Sequence, residues 1–211
     1  MKLKWYGHSC FSLSYEGGPV LVTDPFDDSV GYPLCIATCD FVLTSHDHYD
    51  HNYVQSLSGN PERIADTRSR EMKNGVRIYG IDCFHDDAGG SKRGKNRIFV
   101  LEGEGLRIAH LGDLGHLLSA EQLKALGKID ILLIPIGGTY TITTPEAAEL
   151  IDAIRPHTAI AMHFRTDACH FPITDEKEFL RRTGGQALPT SEITVTAQSL
   201  EALPGAIVLQ Y

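Results

Sequence analysis

The hexapeptide His46-Asp47-His48-Tyr49-Asp50-His51 has the form H-x-H-x-D-H and follows the apolar run Phe41-Val42-Leu43-Thr44. Imidazole nitrogens and carboxylate oxygens are the usual ligands of a hydrolytic zinc centre. In extended chain, alternate residues face the same way. His46 and His48 can therefore grip one cation from one side, while Asp50 and His51, just past the turn, can reach a second. The competing reading is a polar surface loop that happens to be histidine-rich. It leaves the spacing, and the position at a strand end, without a cause.

Three later residues have ligand chemistry and a similar position. His85 follows Arg77 to Phe84, Asp113 follows Ile108 to Gly112, and His163 follows Ala159 to Met162. Side chains at strand ends gather in loops carried on a rigid frame. Any one of them could be a hydrogen-bonded histidine or an N-capping aspartate. Together with the hexapeptide they supply the extra ligands that a pair of cations needs.

The elements that must position these groups change character along the chain. Leu3 to Tyr6, Cys10 to Tyr15 and Val20 to Thr23 read as short strands, with Glu16-Gly17-Gly18 as a hairpin turn. Asp24 to Asp40 is a long loop of the kind often used for binding. Val76 to Phe84, Ile98 to Glu102 and Leu106 to Leu111 are further strands, the last two joined by a turn at Glu102 to Gly105. Helix then alternates with strand. Ser119 opens a capping-box helix to Leu126, Ile131 to Pro135 is a buried-strand run, and Thr144-Pro145 opens a helix to Ile154 as N-cap and first helical residue. Thr158 to Met162 is a strand, Asp175 to Arg182 a helix and Ala206 to Leu209 a closing strand. Strands first, then β-α-β-α, suggest two sheets packed face to face with helices outside; pattern alone supports only the class α/β.

The 211 residues fit one domain spanning 1–211, and 42% apolar content suffices for a substantial core. The net charge of −8 argues against nucleic acid as the main partner, because non-specific phosphate binding needs a basic surface. Five scattered cysteines form no disulfide framework, so a reduced, cytoplasmic setting is expected. Cys35 and Cys39 have no second pair to complete a metal site. No apolar run approaches the roughly 18 residues of a membrane span.

The motifs Trp5-Tyr6-Gly7-His8, Thr23-Asp24-Pro25, Ser45 to Asn52, His85, Gly112-Asp113 and Met162-His163 give the chain a resemblance. It is similar to the metallo-β-lactamase superfamily, and within it to the small metal-dependent hydrolases related to ascorbate-6-phosphate lactonase. More distantly it resembles the phospholipase that releases N-acylethanolamines. The resemblance implies a four-layer αββα sandwich. It implies that His46, His48 and His85 hold one divalent cation, that Asp50, His51 and His163 hold a second, and that Asp113 bridges them. A water shared by two cations loses its proton near neutral pH; that hydroxide would be the nucleophile, with Asp50 orienting it. Zinc is the default for such nitrogen and oxygen ligands, while manganese, nickel and iron tolerate them too. His8 is open to three readings: an extra ligand, a substrate contact or a structural hydrogen bond. His116, three residues past Asp113, could donate a proton to the leaving group, orient Asp113 or sit on a plain surface loop.

The substrate is less legible, since one fold and one metal centre serve many bonds. Ser91 to Arg97 is the densest basic stretch, and Arg93 and Lys95 in it are candidate contacts to a substrate anion. Arg165 is a second anion-binding candidate, and Tyr140 could add a phenol beside the site. The expected function is metal-dependent hydrolysis of an ester, lactone or phosphodiester bond in a small anionic molecule. The alternatives are a nuclease or phospholipase-type phosphodiesterase, and a non-catalytic metal-binding protein. Homo-oligomerisation stays open.

Overall fold

The computed structural model describes residues 1–211. In chain order the strands are β1 (Lys2–Gly7), β2 (Cys10–Ser14), β3 (Val20–Thr23), β4 (Phe41–Leu43), β5 (Glu62–Ile64), β6 (Arg70–Glu71) and β7 (Arg77–Phe84). They continue with β8 (Lys95–Gly103), β9 (Leu106–His110), β10 (Ile131–Pro135), β11 (Thr158–Met162), β12 (Gln186–Leu188), β13 (Glu192–Thr194) and β14 (Ala206–Leu209). The helices are α1 (Ala120–Leu126), α2 (Thr144–Ile154) and α3 (Lys177–Thr183). One sheet has the order β13-β1-β2-β3-β4-β5, the other β12-β14-β11-β10-β9-β8-β7-β6.

Strand alternation explains the layers. Phe11, Leu13 and Leu21 point inward and join residues of the second sheet and of the helices in one core of 44 buried residues. Cys10 and Val22 point the other way and join Phe26, Val30 and Tyr32 in a smaller cluster of nine. The long 24–40 loop thus covers the outer face of the first sheet, and its only helix is one 3-10 turn, Asp28–Val30. On the second sheet α1 packs on β7 and α3 on β14. The architecture is α/β and layered as expected, with the layer outside the first sheet built from loop and 3-10 turns. β10 and β11 are buried at every residue and run parallel, which accounts for their unbroken apolar sequence.

Two helix starts differ from the sequence reading. The N-cap of α2 is Thr143, whose hydroxyl accepts from the Glu146 N–H while the Glu146 carboxylate accepts from the Thr143 N–H. Thr144 is already helical, and its hydroxyl donates to the Ile136 carbonyl at 2.9 Å. α3 starts at Lys177 because the Asp175 carboxylate accepts from the Lys177 N–H and holds the preceding residues in a turn. Strands β5, β6, β12 and β13 escape sequence reading. They are two or three residues long and mostly unburied, so alternation never develops.

The strand ends β4, β7, β9 and β11 and the β1–β2 turn deliver their next residues to one place. The turn is stitched across the sheets: the His8 carbonyl accepts from the His163 N–H at 3.1 Å and from the Trp5 indole at 3.0 Å.

Candidate metal centre

Local backbone geometry aims the side chains. His8, Asp24 and His163 have φ of 50°, 40° and 50°, in the left-handed region that non-glycine residues avoid. Such conformations cost about 1–3 kcal/mol each and persist where surrounding structure enforces them, commonly at functional sites. Gly112 (φ +54°) lets the chain turn into Asp113; an ideal Cβ there would lie 2.5 Å from both Asn96 Oδ1 and Ser45 Cβ. Asn96 then fixes the turn, accepting from the Asp113 N–H at 3.1 Å and donating to the Leu111 carbonyl at 2.9 Å.

The side chains form two main groups whose ligand atoms lie within 4.8 Å of one another, His46, His48 and His85, and His8, Asp50, His51 and His163; a third, Asp24, His46 and His51, links them. Asp113 stands between the groups. Its Oδ2 is 3.3 Å from His85 Nε2 and 3.2 Å from His163 Nε2, and its Oδ1 is 3.2 Å from His51 Nε2. His46 Nε2, His51 Nε2, His163 Nε2 and Asp113 Oδ1 are buried without a hydrogen-bond partner. Unsatisfied buried polar atoms are expensive and rare. Four of them converging on one place, from nitrogen and oxygen donors, fit divalent cations.

Two of the ligand rings, His46 and His51, are held from their far side, whereas Nδ1 of His8, His85 and His163 is buried without a partner. Asp24 Oδ2 accepts from His51 Nδ1 at 2.9 Å, and the same carboxylate accepts from the Ser45 N–H and hydroxyl at 2.7 and 2.6 Å. The Ser45 hydroxyl lies 2.9 Å from His46 Nδ1. With the Nδ1 protons of His46 and His51 so engaged, their Nε2 atoms face the centre, which is how orienting carboxylates prepare metal-binding imidazoles. Sequence reading named neither Asp24 nor Ser45 as a site residue. The one available signal was Thr23-Asp24-Pro25, an acid at a strand end before a proline.

Protonation matches this purpose. Burial, then the nearby His163, pushes His8 down to about 4, and burial, then His51, pushes His46 down to about 3. Burial opposes ionisation of Asp50 and Asp113, but the imidazoles of His51, His8 and His163 outweigh it and hold both carboxyls low. Burial would lower His51, yet the charges of Asp113 and Asp50 raise it well above its usual value. Neutral His8 and His46 beside ionised carboxylates are the forms that take up cations, and His51 gives up its extra proton when a cation binds.

A family model described as a beta-lactamase superfamily domain matches residues 2–163, from the first strand through the last ligand-type histidine. The chain belongs to the metallo-β-lactamase superfamily. A UPF0173 protein of Pyrococcus furiosus is 31% identical over 86% of this chain and 92% of its own length. A UPF0173 metal-dependent hydrolase of Thermoplasma acidophilum is 30% identical over 79% and 84%. Among solved structures, a candidate Zn-dependent hydrolase of the metallo-β-lactamase superfamily from Thermotoga maritima is 36% identical. It superposes with a TM-score of 0.82 over 99% of this chain and 97% of that one.

Around this metallo-β-lactamase centre the other predicted residues divide. A cleft of about 250 Å³ opens onto it, lined by the ligand-type His48, Asp50, His85 and Asp113 together with Tyr49, Arg93, Tyr140 and Phe171. Arg93 stacks on Tyr140 at 5.5 Å and donates to the Thr139 carbonyl at 3.0 Å. Lys95 borders the same ligands from a neighbouring notch with His46 and His48. Arg165 does not join them. It lines a separate cavity near Tyr211 and faces Asp175 at 3.8 Å, because the chain turns away after His163. His116 is also outside the cleft. Its Nε2 accepts from the Phe84 N–H at 3.1 Å and its Nδ1 donates to the Leu117 carbonyl at 2.7 Å, so both nitrogens are committed to backbone. It has neither a free proton nor a contact with which to serve a leaving group or Asp113. His110 is likewise structural, between the Ser9 carbonyl and the Gly112 N–H.

Proposed function

We propose that this metal-dependent hydrolase of the metallo-β-lactamase superfamily cleaves an ester, lactone or phosphodiester bond in a small anionic substrate. In this reading residues 1–211 act as one catalytic domain. The observation that carries it is Asp113 standing within 3.3 Å of histidines from both ligand groups at the floor of an open cleft. His46, His48 and His85 would hold one cation, Asp50, His51, His163 and His8 the other, and Asp113 both. Bound cations would acidify a water and polarise the scissile bond. Zinc is the first expectation for this donor set.

The chain's own groups have assigned parts. Asp24 and Ser45 keep the His51 and His46 rings turned inward. Asp50, ionised and 3.3 Å from His8 Nε2, would orient the attacking water. Arg93 and Lys95 meet the substrate's negative charge, and Tyr140 forms the wall beside it. No helix is long and apolar enough to cross a membrane, which suits a substrate reached from water.

The test is a panel of small esters, lactones and phosphodiesters offered to zinc- or manganese-loaded wild type and to Asp50→Ala. Cleavage of one class by wild type alone supports the reading and names the bond. Equal, background rates on all three would remove it.

A further inference from the structure

The notch and the cleft are different environments that share two residues. His48 and Arg93 line both. The notch, of about 260 Å³, is otherwise formed by His46, Asp47, Lys95 and Arg97. The cleft is lined beside its ligand-type residues by Tyr49, Tyr140 and Phe171. Each cavity is smaller than the roughly 300–1,000 Å³ of ordinary small-molecule sites. Each therefore suits one part of a substrate.

Charge separates the two. Arg93, Lys95 and Arg97 have no carboxylate within ion-pair distance, although the protein is acidic as a whole. Asp47, the one acid at the notch, is engaged by Arg63 at 2.9 Å and by Asn52 at 2.7 Å. Arg97 is fixed by a bond to the Ser45 carbonyl. The cleft instead carries Asp50 and Asp113 on its floor. Its far wall is a run of rings. Phe171 meets His8 edge-on at 5.8 Å and Tyr140 at 6.5 Å, and Tyr140 in turn carries the Arg93 guanidinium.

Arg93 is also held in place. The Asp86 carboxylate, next to the ligand-type His85, accepts from the backbone N–H groups of Ala88, Gly90, Lys92 and Arg93 at 2.7–3.0 Å. The loop is closed again by the Gly94 carbonyl, which accepts from the His85 N–H at 3.0 Å. Asp86 is thus a positioning residue that ties the anion-binding arginine to the same strand end as the metal ligand.

We propose that the substrate is a two-part molecule, with an anionic group seated on Arg93, Lys95 and Arg97 and a ring-sized apolar group against Tyr49, Tyr140 and Phe171. The scissile bond lies between them at His48 and Asp113. This rests on the hydrolase reading and adds to it the arrangement of the substrate.

The test uses three probes without a hydrolysable bond: phenylpropanesulfonate, propanesulfonate and phenylpropanol. Sulfonate is a poor metal ligand, so it reports on the basic side chains. Binding to metal-loaded protein is measured by titration calorimetry for wild type, Lys95→Glu, Phe171→Ala and Tyr49→Ala, each with its metal content and circular dichroism checked. The two-part probe should bind at least about ten-fold tighter than either half. Lys95→Glu should weaken both sulfonates and spare phenylpropanol. Phe171→Ala and Tyr49→Ala should weaken both phenyl probes and spare propanesulfonate. The proposal is overturned if the two-part probe gains nothing over its better half, if no probe binds, or if the variants weaken all three probes alike. None of these results depends on turnover, so they stand apart from the outcome of the ester, lactone and phosphodiester panel.

Discussion

Asp24 and His51 form a buried pair in which the carboxylate Oδ2 accepts from the imidazole Nδ1 at 2.9 Å, with neither side chain exposed. The bond selects the tautomer that points Nε2 at Asp113 and Asp50. It also links the first long loop to the hexapeptide, since the same carboxylate holds both the N–H and the hydroxyl of Ser45. Asp24→Asn keeps the shape but removes the charge and offers one acceptor oxygen where two are used. Metal affinity should fall roughly 10- to 100-fold, the usual effect of losing such a partner. Chelator-competition titrations read this directly, and unchanged affinity would reduce Asp24 to a packing residue.

Asp113 is the group common to both histidine sets, so its loss should act on both. Asp113→Ala is expected to leave at most one tight ion per chain, against the two expected of wild type, as measured by elemental analysis after gel filtration. His85→Ala should weaken one ion selectively. Two tight ions retained in Asp113→Ala would refute the bridging assignment.

The clustering of the ligand-type residues was readable in the sequence because each follows an apolar strand, and strand ends are marked by where hydrophobicity stops. His46, His48, Asp50, His51, His85, Asp113 and His163 all carry that signal. Asp24 and Ser45 carry little of it, because orienting a ring is a matter of contacts made only on folding. His8 needed the β1–β2 turn to be closed onto His163 before it joined a group. Sequence proximity misled in the opposite direction at Arg165 and His116. Each lies within three residues of a ligand-type residue, yet a change of backbone direction sends Arg165 to Asp175 and His116 to the Phe84 and Leu117 backbones.

Metal removal should expose a pH dependence with a defined sign. In the metal-free protein His8 and His46 titrate near 4 and 3, below the value of 6.5 expected in the unfolded chain. Between those limits the unfolded chain binds protons that the folded one refuses, so stability falls as pH drops. His51 works above this window: its raised pKa contributes stability that is complete below about 6.5 and lost as pH rises through the folded value. The Tm of chelator-treated protein should therefore drop from pH 6.5 to 4.5, and His8→Gln should flatten the drop. A Tm that rises with acid in this window would contradict the neutral assignment of these imidazoles.

His116 has both ring nitrogens committed to backbone outside the cleft. His116→Gln should leave kcat and its pH profile unchanged once an active substrate is known, with any effect confined to Tm. A loss in kcat with an altered basic limb would return His116 to the role of proton donor.

Asp86 gives the sharpest separation of positioning from chemistry. Burial alone would raise its pKa, but four backbone N–H donors, those of Arg93 and Ala88 foremost, hold the carboxyl well below its ordinary range. Asn at this position keeps one acceptor and turns an NH2 toward donors it cannot satisfy. The loop should loosen and Arg93 lose its fixed place. Asp86→Asn is expected to raise KM for an anionic substrate several-fold, with little change in kcat or metal content. The sign of the pH effect follows from the lowered pKa. The stabilisation is fully present above the ordinary carboxylate value of about 4 and is lost as pH falls through the lower folded value. The Tm gap between wild type and Asp86→Asn should therefore be constant from pH 7 to about 4.5 and narrow below about 4. A gap that persists unchanged into stronger acid, or a KM that does not move, would show that the 86–94 loop holds its shape without the Asp86 charge.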